Sequence, residues 1–169
     1  METPVVDQIL RRAAIEPSGL PSSPSLGLAI VTCMDARIEP LAVFGLAPGD
    51  AHIIRNAGGR VGPQALRSLA LSQRVLGTRE ILIAQHTDCG LHGFDDEQLA
   101  AAIARETGAR PQWTAGGFDD LEESVRAAII TARTAPELIH RDRVRGAIID
   151  VGRGVVREVV EEAGEKIRR

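Results

Sequence analysis

Leu26-Gly27-Leu28-Ala29-Ile30-Val31-Thr32 runs directly into Cys33-Met34-Asp35-Ala36-Arg37, so an apolar run of strand length ends in a thiol and a charged pair. Such a run, without polar alternation, reads as a strand buried on both faces, as in a parallel sheet covered by helices. The layout returns at Glu80-Ile81-Leu82-Ile83-Ala84-Gln85, which leads into His86-Thr87-Asp88-Cys89-Gly90. Residues 51–55, entered from Pro48-Gly49-Asp50, and residues 144–151 supply two further strands. Between the strands, the spacing of Ala65, Leu66, Leu69 and Val75 predicts a helix over 63–76, stopped at Gly77. Acid-rich first turns predict helices over 95–106 and 121–134.

Working outward, Val5 to Leu10 predicts an N-terminal helix ending near Pro17, and 17–24 reads as a linker of Pro, Gly and Ser. Gly152-Arg153-Gly154 turns the chain into 155–160, either a hairpin partner or a final helix. Strands alternating with helices predict a single α/β domain over 1–169, with a mainly parallel β-sheet of four to five strands flanked by helices. Residues 1–25, the N-terminal helix and linker, are expected to pack on a partner subunit. In such sheets ligands bind at the carboxyl ends of the strands, where both cysteine motifs fall.

Composition narrows the function classes. At 169 residues and 44% apolar, the chain can bury one real core. Its net charge of −3, the absence of Tyr and the lack of a basic patch interleaved with aromatics argue against a nucleic-acid surface. No apolar run approaches the roughly 20 residues that span a bilayer. Met1-Glu2-Thr3-Pro4 lacks the basic then apolar layout of a signal peptide. A cytoplasmic location is expected, where thiols stay reduced.

Cys33, His86 and Cys89 make a set of three zinc-type ligands with one coordination position open, the count of a catalytic rather than a structural zinc. The same cysteines read also as two buried thiols, since free Cys is among the most buried residue types. Spacing alone leaves both readings standing. Asp35 near an apolar strand end is costly unless paired, and the planar fork of Arg37 can hold it bidentately. The alternative is a plain surface ion pair of little energetic weight.

Three motifs in register, Cys33-x-Asp35-x-Arg37, Arg55-Asn56-Ala57-Gly58 and His86-Thr87-Asp88-Cys89-Gly90, carry a resemblance to the β-class carbonic anhydrases, especially their small bacterial and archaeal branch. Weaker matches at Ala65–Leu69, Leu76–Ile81 and Val144–Gly146 extend it over about residues 26 to 160. The resemblance implies one zinc ion held by Cys33, His86 and Cys89, with water or hydroxide in the fourth position. It implies Asp35 and Arg37 as the catalytic dyad, with Asp35 able to swing onto zinc in an inactive state. It also implies the Gly90 N–H as a donor to a substrate oxygen, and a tight approach of the Gly58 segment beside the metal. The implied reaction is reversible hydration of carbon dioxide to bicarbonate and a proton by zinc-bound hydroxide, in a homodimer or higher homo-oligomer. His92 is a candidate proton relay, because imidazole titrates near neutrality.

Two other readings stand beside this one: hydrolysis of carbonyl sulfide or carbon disulfide on the same scaffold, and a non-catalytic zinc or thiol-redox binding protein. Members inhibited by bicarbonate at a separate pocket carry a Trp where this chain has Ile30, together with a Tyr, so that inhibition is not expected here. Two thiolates leave the metal less positive than three imidazoles would, which places the expected activity midpoint above neutral pH.

Overall fold

A computed structural model of the protein describes residues 4–13 and 19–160. Its elements run in chain order as α1 (Val5–Arg12), β1 (Leu28–Cys33), α2 (Pro40–Phe44), β2 (Ala51–Asn56), a 3₁₀ turn (Ala57–Gly59), α3 (Pro63–Arg74), β3 (Glu80–His86), α4 (Asp96–Thr107), α5 (Leu121–Thr134), β4 (Val144–Asp150) and β5 (Val155–Val159). The strands form one sheet in the order β2-β1-β3-β4-β5. All neighbours are parallel except β4 and β5. The mainly parallel sheet expected from the uninterrupted apolar runs is present. The expected start of the linker at Pro17 falls among residues 14–18, outside the described residues.

The long helices begin where their caps dictate. Asp95 and Asp120 each accept a backbone N–H three residues on, from Gln98 and Glu123, both at 2.9 Å, which satisfies donors that a helix N-terminus otherwise leaves open. Within 155–160, readable as helix or hairpin, Val155–Val159 form the hairpin strand β5. The Asp150 carboxylate accepts from Gly152 N (3.0 Å) and Arg153 N (2.9 Å), and Gly154 takes a left-handed φ of 67° to close the turn. The short helix α2 was not foreseen; Pro40 opens it and Gly45, at φ 64°, ends it within five residues. A helix of that length shows no periodicity to read.

The core lies on one face of the sheet. Ala29 and Val31 of β1, Ile81 and Ile83 of β3 and Val144 and Ile148 of β4 pack with Ala65 and Leu69 of α3 and Val125, Ala128, Ile129 and Ala132 of α5. Each fully buried aliphatic side chain contributes about 1.5–3 kcal/mol. A second, smaller cluster joins Cys33, Ala84, Cys89, Ile38 and Ile149, with Phe44, Leu91 and Phe118 against it. Both cysteine thiols thus belong to a packed layer. Phe118 packs against this cluster, while Trp113 lies exposed on the surface of the single chain. Among the described residues no helix is long and apolar enough to cross a membrane.

At Gly146 of β4, α5 packs directly against the sheet. A Cβ there would lie 2.5 Å from Val125 Cγ1 and 2.7 Å from Ile129 Cδ1. Gly146→Ala is therefore expected to destabilise the protein by about 1–3 kcal/mol through overpacking, measured as a lowered urea midpoint. An unchanged midpoint would show that α5 is free to move away.

Candidate metal centre

Parallel pairing of Thr32 with Ala84 brings the ends of β1 and β3 side by side. Cys33 then closes one strand, while His86 closes the other and passes through a short turn to Cys89. The ligand atoms of Cys33, His86 and Cys89 lie within 4.8 Å of one another, and all three side chains are buried. Both thiols are free.

The His86 Nδ1 lies 2.9 Å from the Thr87 carbonyl. A carbonyl oxygen only accepts, so Nδ1 carries the proton and Nε2 keeps its lone pair. That Nε2 is buried and has no hydrogen-bond partner. A buried acceptor left unsatisfied in a cluster with two thiols is the arrangement of a metal ligand whose other nitrogen is held by an outer partner. The donor set suits a borderline-soft ion such as zinc. Burial pushes the Cys89 thiol above its ordinary pKa, and the neighbouring Cys33 and Asp35 push the same way, while the Leu91 N–H opposes them.

The backbone around the ligands is fixed by β2 and the segment after it. Arg55 Nε donates to the Cys33 carbonyl at 3.0 Å and its Nη2 to the Asp35 carbonyl at 2.7 Å. Asn56 closes the following loop, accepting from Arg60 N at 2.7 Å and donating to Arg60 O at 2.8 Å. Inside that loop Gly58 has φ 72°, and a Cβ would strike Leu91 Cδ1 at 2.8 Å. Gly59, at φ 60°, lies so close to the ligand strands that a Cβ would sit 3.1 Å from Cys33 N and 3.2 Å from Ala84 O. Gly59 makes the close approach that sequence analysis assigned to the Gly58 segment as a whole; both positions require glycine.

Asp35 and Arg37 form the bidentate pair. Arg37 Nε donates to Asp35 Oδ1 at 3.0 Å, Nη2 to Oδ2 at 2.8 Å, and the Arg37 backbone N–H adds a third bond to Oδ1 at 2.9 Å. The Arg37 side chain, then its backbone N–H, hold the Asp35 carboxyl well below the usual carboxylate range, against the opposing effect of burial. Asp35 Oδ2 stands 3.8 Å from His86 Nε2. An ionised, oriented carboxylate thus sits at the edge of the ligand cluster and can accept a hydrogen bond from a group bound there.

Among the other predicted residues, Gly90 is exposed and a Cβ there would meet nothing within 4 Å. His92 is also exposed; its Nε2 lies 3.0 Å from the Asp119 carbonyl and its ring is tilted against Phe118. The His92 N–H bonds back to the Cys89 carbonyl at 3.0 Å, which ties it to the ligand turn. Two participants in this turn were not foreseen from the sequence. Thr87 Oγ1 accepts from Val151 N at 3.1 Å, fastening the turn to the end of β4. Asp88, at φ 56°, binds the Nη1–Nη2 edge of Arg37, next to the edge that Asp35 takes. An Asp between two candidate ligands, in a turn type that tolerates left-handed backbone, was the available signal.

Fold and site together define a mainly parallel-sheet α/β domain with a buried thiol–imidazole cluster able to hold a metal ion. A carbonic anhydrase family model matches residues 28–110. The chain is 44% identical over 140 residues to β-carbonic anhydrase 1 of Mycobacterium tuberculosis, covering 83% of this chain and 86% of that one. It superposes on a carbonic anhydrase from Streptococcus mutans with a TM-score of 0.82 at 37% identity, covering 95% of this chain and all of that one. A carbon disulfide hydrolase from an Acidianus strain is 43% identical over 94 residues, which is 56% of this chain and 43% of the hydrolase. The chain belongs to the β-carbonic anhydrase family.

The depressed pKa of Asp35 has a consequence for stability. A carboxyl with a folded-state pKa below its unfolded value contributes stability above that unfolded value, about 3.9, and loses it as pH falls towards the folded value. The stability gap between the metal-free wild type and Asp35→Asn is therefore expected to be widest at neutral pH and to narrow below about pH 4. Urea unfolding across that range measures it, and a gap independent of pH would contradict the pairing.

Proposed function

We infer that this protein hydrates carbon dioxide reversibly to bicarbonate and a proton, using one zinc ion held by Cys33, His86 and Cys89. The observation that carries the reading is the Arg37-held Asp35 carboxylate, 3.8 Å from the unpartnered His86 Nε2. Family membership adds the reaction class. When bound, zinc supplies a Lewis acid that lowers the pKa of a coordinated water from 15.7 towards neutrality. Asp35 accepts a hydrogen bond from the attacking water and orients its lone pair towards the substrate carbon. Arg37 keeps Asp35 ionised and aimed. The Gly90 N–H donates to a substrate oxygen, and Gly58 with Leu91 narrows the approach. His92 passes the released proton to buffer through Nδ1, its other nitrogen being turned to the Asp119 carbonyl. Both ligand cysteines must stay reduced, which suits the cytoplasm.

The expected result is one zinc per chain by metal analysis and stopped-flow hydration of carbon dioxide with a midpoint above neutral pH. Asp35→Ala should keep the zinc and lose about 100-fold or more in turnover, the scale of a lost proton-accepting group. Zinc-loaded wild type inert from acidic to alkaline pH would refute the reading. The similarity to carbon disulfide hydrolases supports a second substrate on the same site. Turnover of carbon disulfide exceeding that of carbon dioxide, measured side by side, would favour it.

The working unit is a homodimer. Helix α1 buries none of its residues, and Val5, Val6, Ile9 and Leu10 are each more than half exposed. An apolar face of that kind is stable when another surface covers it. Sedimentation at micromolar concentration is expected to give a dimer or larger, and deletion of residues 1–12 to weaken it. A monomeric full-length chain would contradict this.

A further inference from the structure

Arg37 is held from two sides. Four N–H groups of its guanidinium are engaged: Nε and Nη2 on the Asp35 carboxylate, Nη1 on Asp88 Oδ2 at 2.6 Å, and Nη2 also on the Asp88 carbonyl at 2.9 Å. The first partner lies on the loop after β1. The second lies on the turn after β3, between His86 and Cys89. Asp88 is the one non-glycine residue with positive φ among the described residues, and a left-handed aspartate is an uncommon and slightly costly conformation. In that conformation its carbonyl and its carboxylate point at the same guanidinium.

The Asp88 side chain is 77% exposed and that of Arg37 49%. An ion pair so open to water adds little to stability by itself. Its effect is geometric. With Asp35 as its only anchor, a half-exposed Arg37 could follow that carboxylate or swing into solvent. With Asp88 as a second anchor on the adjacent Nη1–Nη2 edge, only one placement of the planar fork satisfies both.

We propose that Asp88 is a positioning residue that clamps Arg37 against Asp35, so that the turn carrying two metal ligands also sets the orientation of the catalytic carboxylate. This rests on the roles given to Asp35 and Arg37 above. Asp88 acts through Arg37 and touches no substrate. It therefore governs turnover while leaving metal binding to Cys33, His86 and Cys89.

Two variants separate charge from backbone. Asp88→Gly removes the side chain at a φ that glycine accepts freely, and Asp88→Asn keeps the shape and a left-handed preference but loses the charge. In zinc-loaded Asp88→Gly, hydration turnover is expected to fall about 10-fold through misplacement of Asp35, with zinc still at one per chain. Asp88→Asn should fall between it and wild type. The Arg37 Nε–H resonance, slow to exchange with solvent in wild type, should exchange fast or vanish in Asp88→Gly, with or without metal. In an Arg37→Ala background, Asp88→Gly should add less than a 2-fold further loss, because the residue it acts through is gone. An unchanged Arg37 signal, unchanged turnover, or a loss of the same size in the Arg37→Ala background would each overturn the proposal. In a protein with no hydration activity the Arg37 signal still decides the clamp, so the two readings fail separately.

Discussion

The parallel pairing of β1 with β3, from Leu28 against Glu80 to Thr32 against Ala84, is the contact on which the rest of the molecule depends. Neighbouring strands lie about 4.8 Å apart, so residues that leave two paired ends together fall within reach of one small ion. Cys33 and the His86–Cys89 turn do so. The register has no slack, because a slip of one residue would turn the Cys33 side chain to the opposite face. Val31 and Ile83, both fully buried, hold that register through the core beneath α3 and α5. Core packing and site geometry are thus one constraint, applied at the middle and at the end of the same two strands.

Around the ligands, charge is balanced in a defined order. The Cys89 thiol and the Asp35 carboxyl meet in a confined layer where burial disfavours their ionised forms. Burial does raise the Cys89 thiol, so metal binding at the site is coupled to loss of a thiol proton. Asp35 escapes the same fate because Arg37 reaches it with three donors. The centre therefore keeps one carboxylate charged at all ordinary pH and leaves its thiols to a metal cation. That division gives the ligands and the orienting carboxylate different roles within a few ångströms.

The glycines of the Asn56–Arg60 loop show how tightly this region is built. Asn56 closes the loop on Arg60 with two bonds, and Gly59 then fits against Cys33 and Ala84 with no room for a Cβ. Arg55, just before, holds the backbone on both sides of Met34. A single sheet-edge segment thereby supports the ligand loop from behind while the apolar cluster of Ile38, Leu91 and Phe118 packs around it. Residues far apart in sequence become one wall.

The sequence by itself determined the buried strands, the capped helices and the identity of the three candidate ligands. These rest on local facts: uninterrupted apolar runs, acids at helix starts, and soft donors placed directly after strands. Helix 121–134 is legible to the residue because Asp120 caps it and Pro136 stops it. Where a signal was short or ambiguous, only the tertiary structure decided. Helix α2 is too brief to show a period. The valine-rich 155–160 stretch fits helix or strand until Asp150 builds the turn and β4 offers its edge. Gly59 becomes special only when β1 and β3 lie beside it. Asp88 meets Arg37 only because the β1–β3 register brings their loops together. The chemistry of each residue is written locally, but which residues share a hydrogen bond follows from strand pairing, and pairing is a property of the folded sheet.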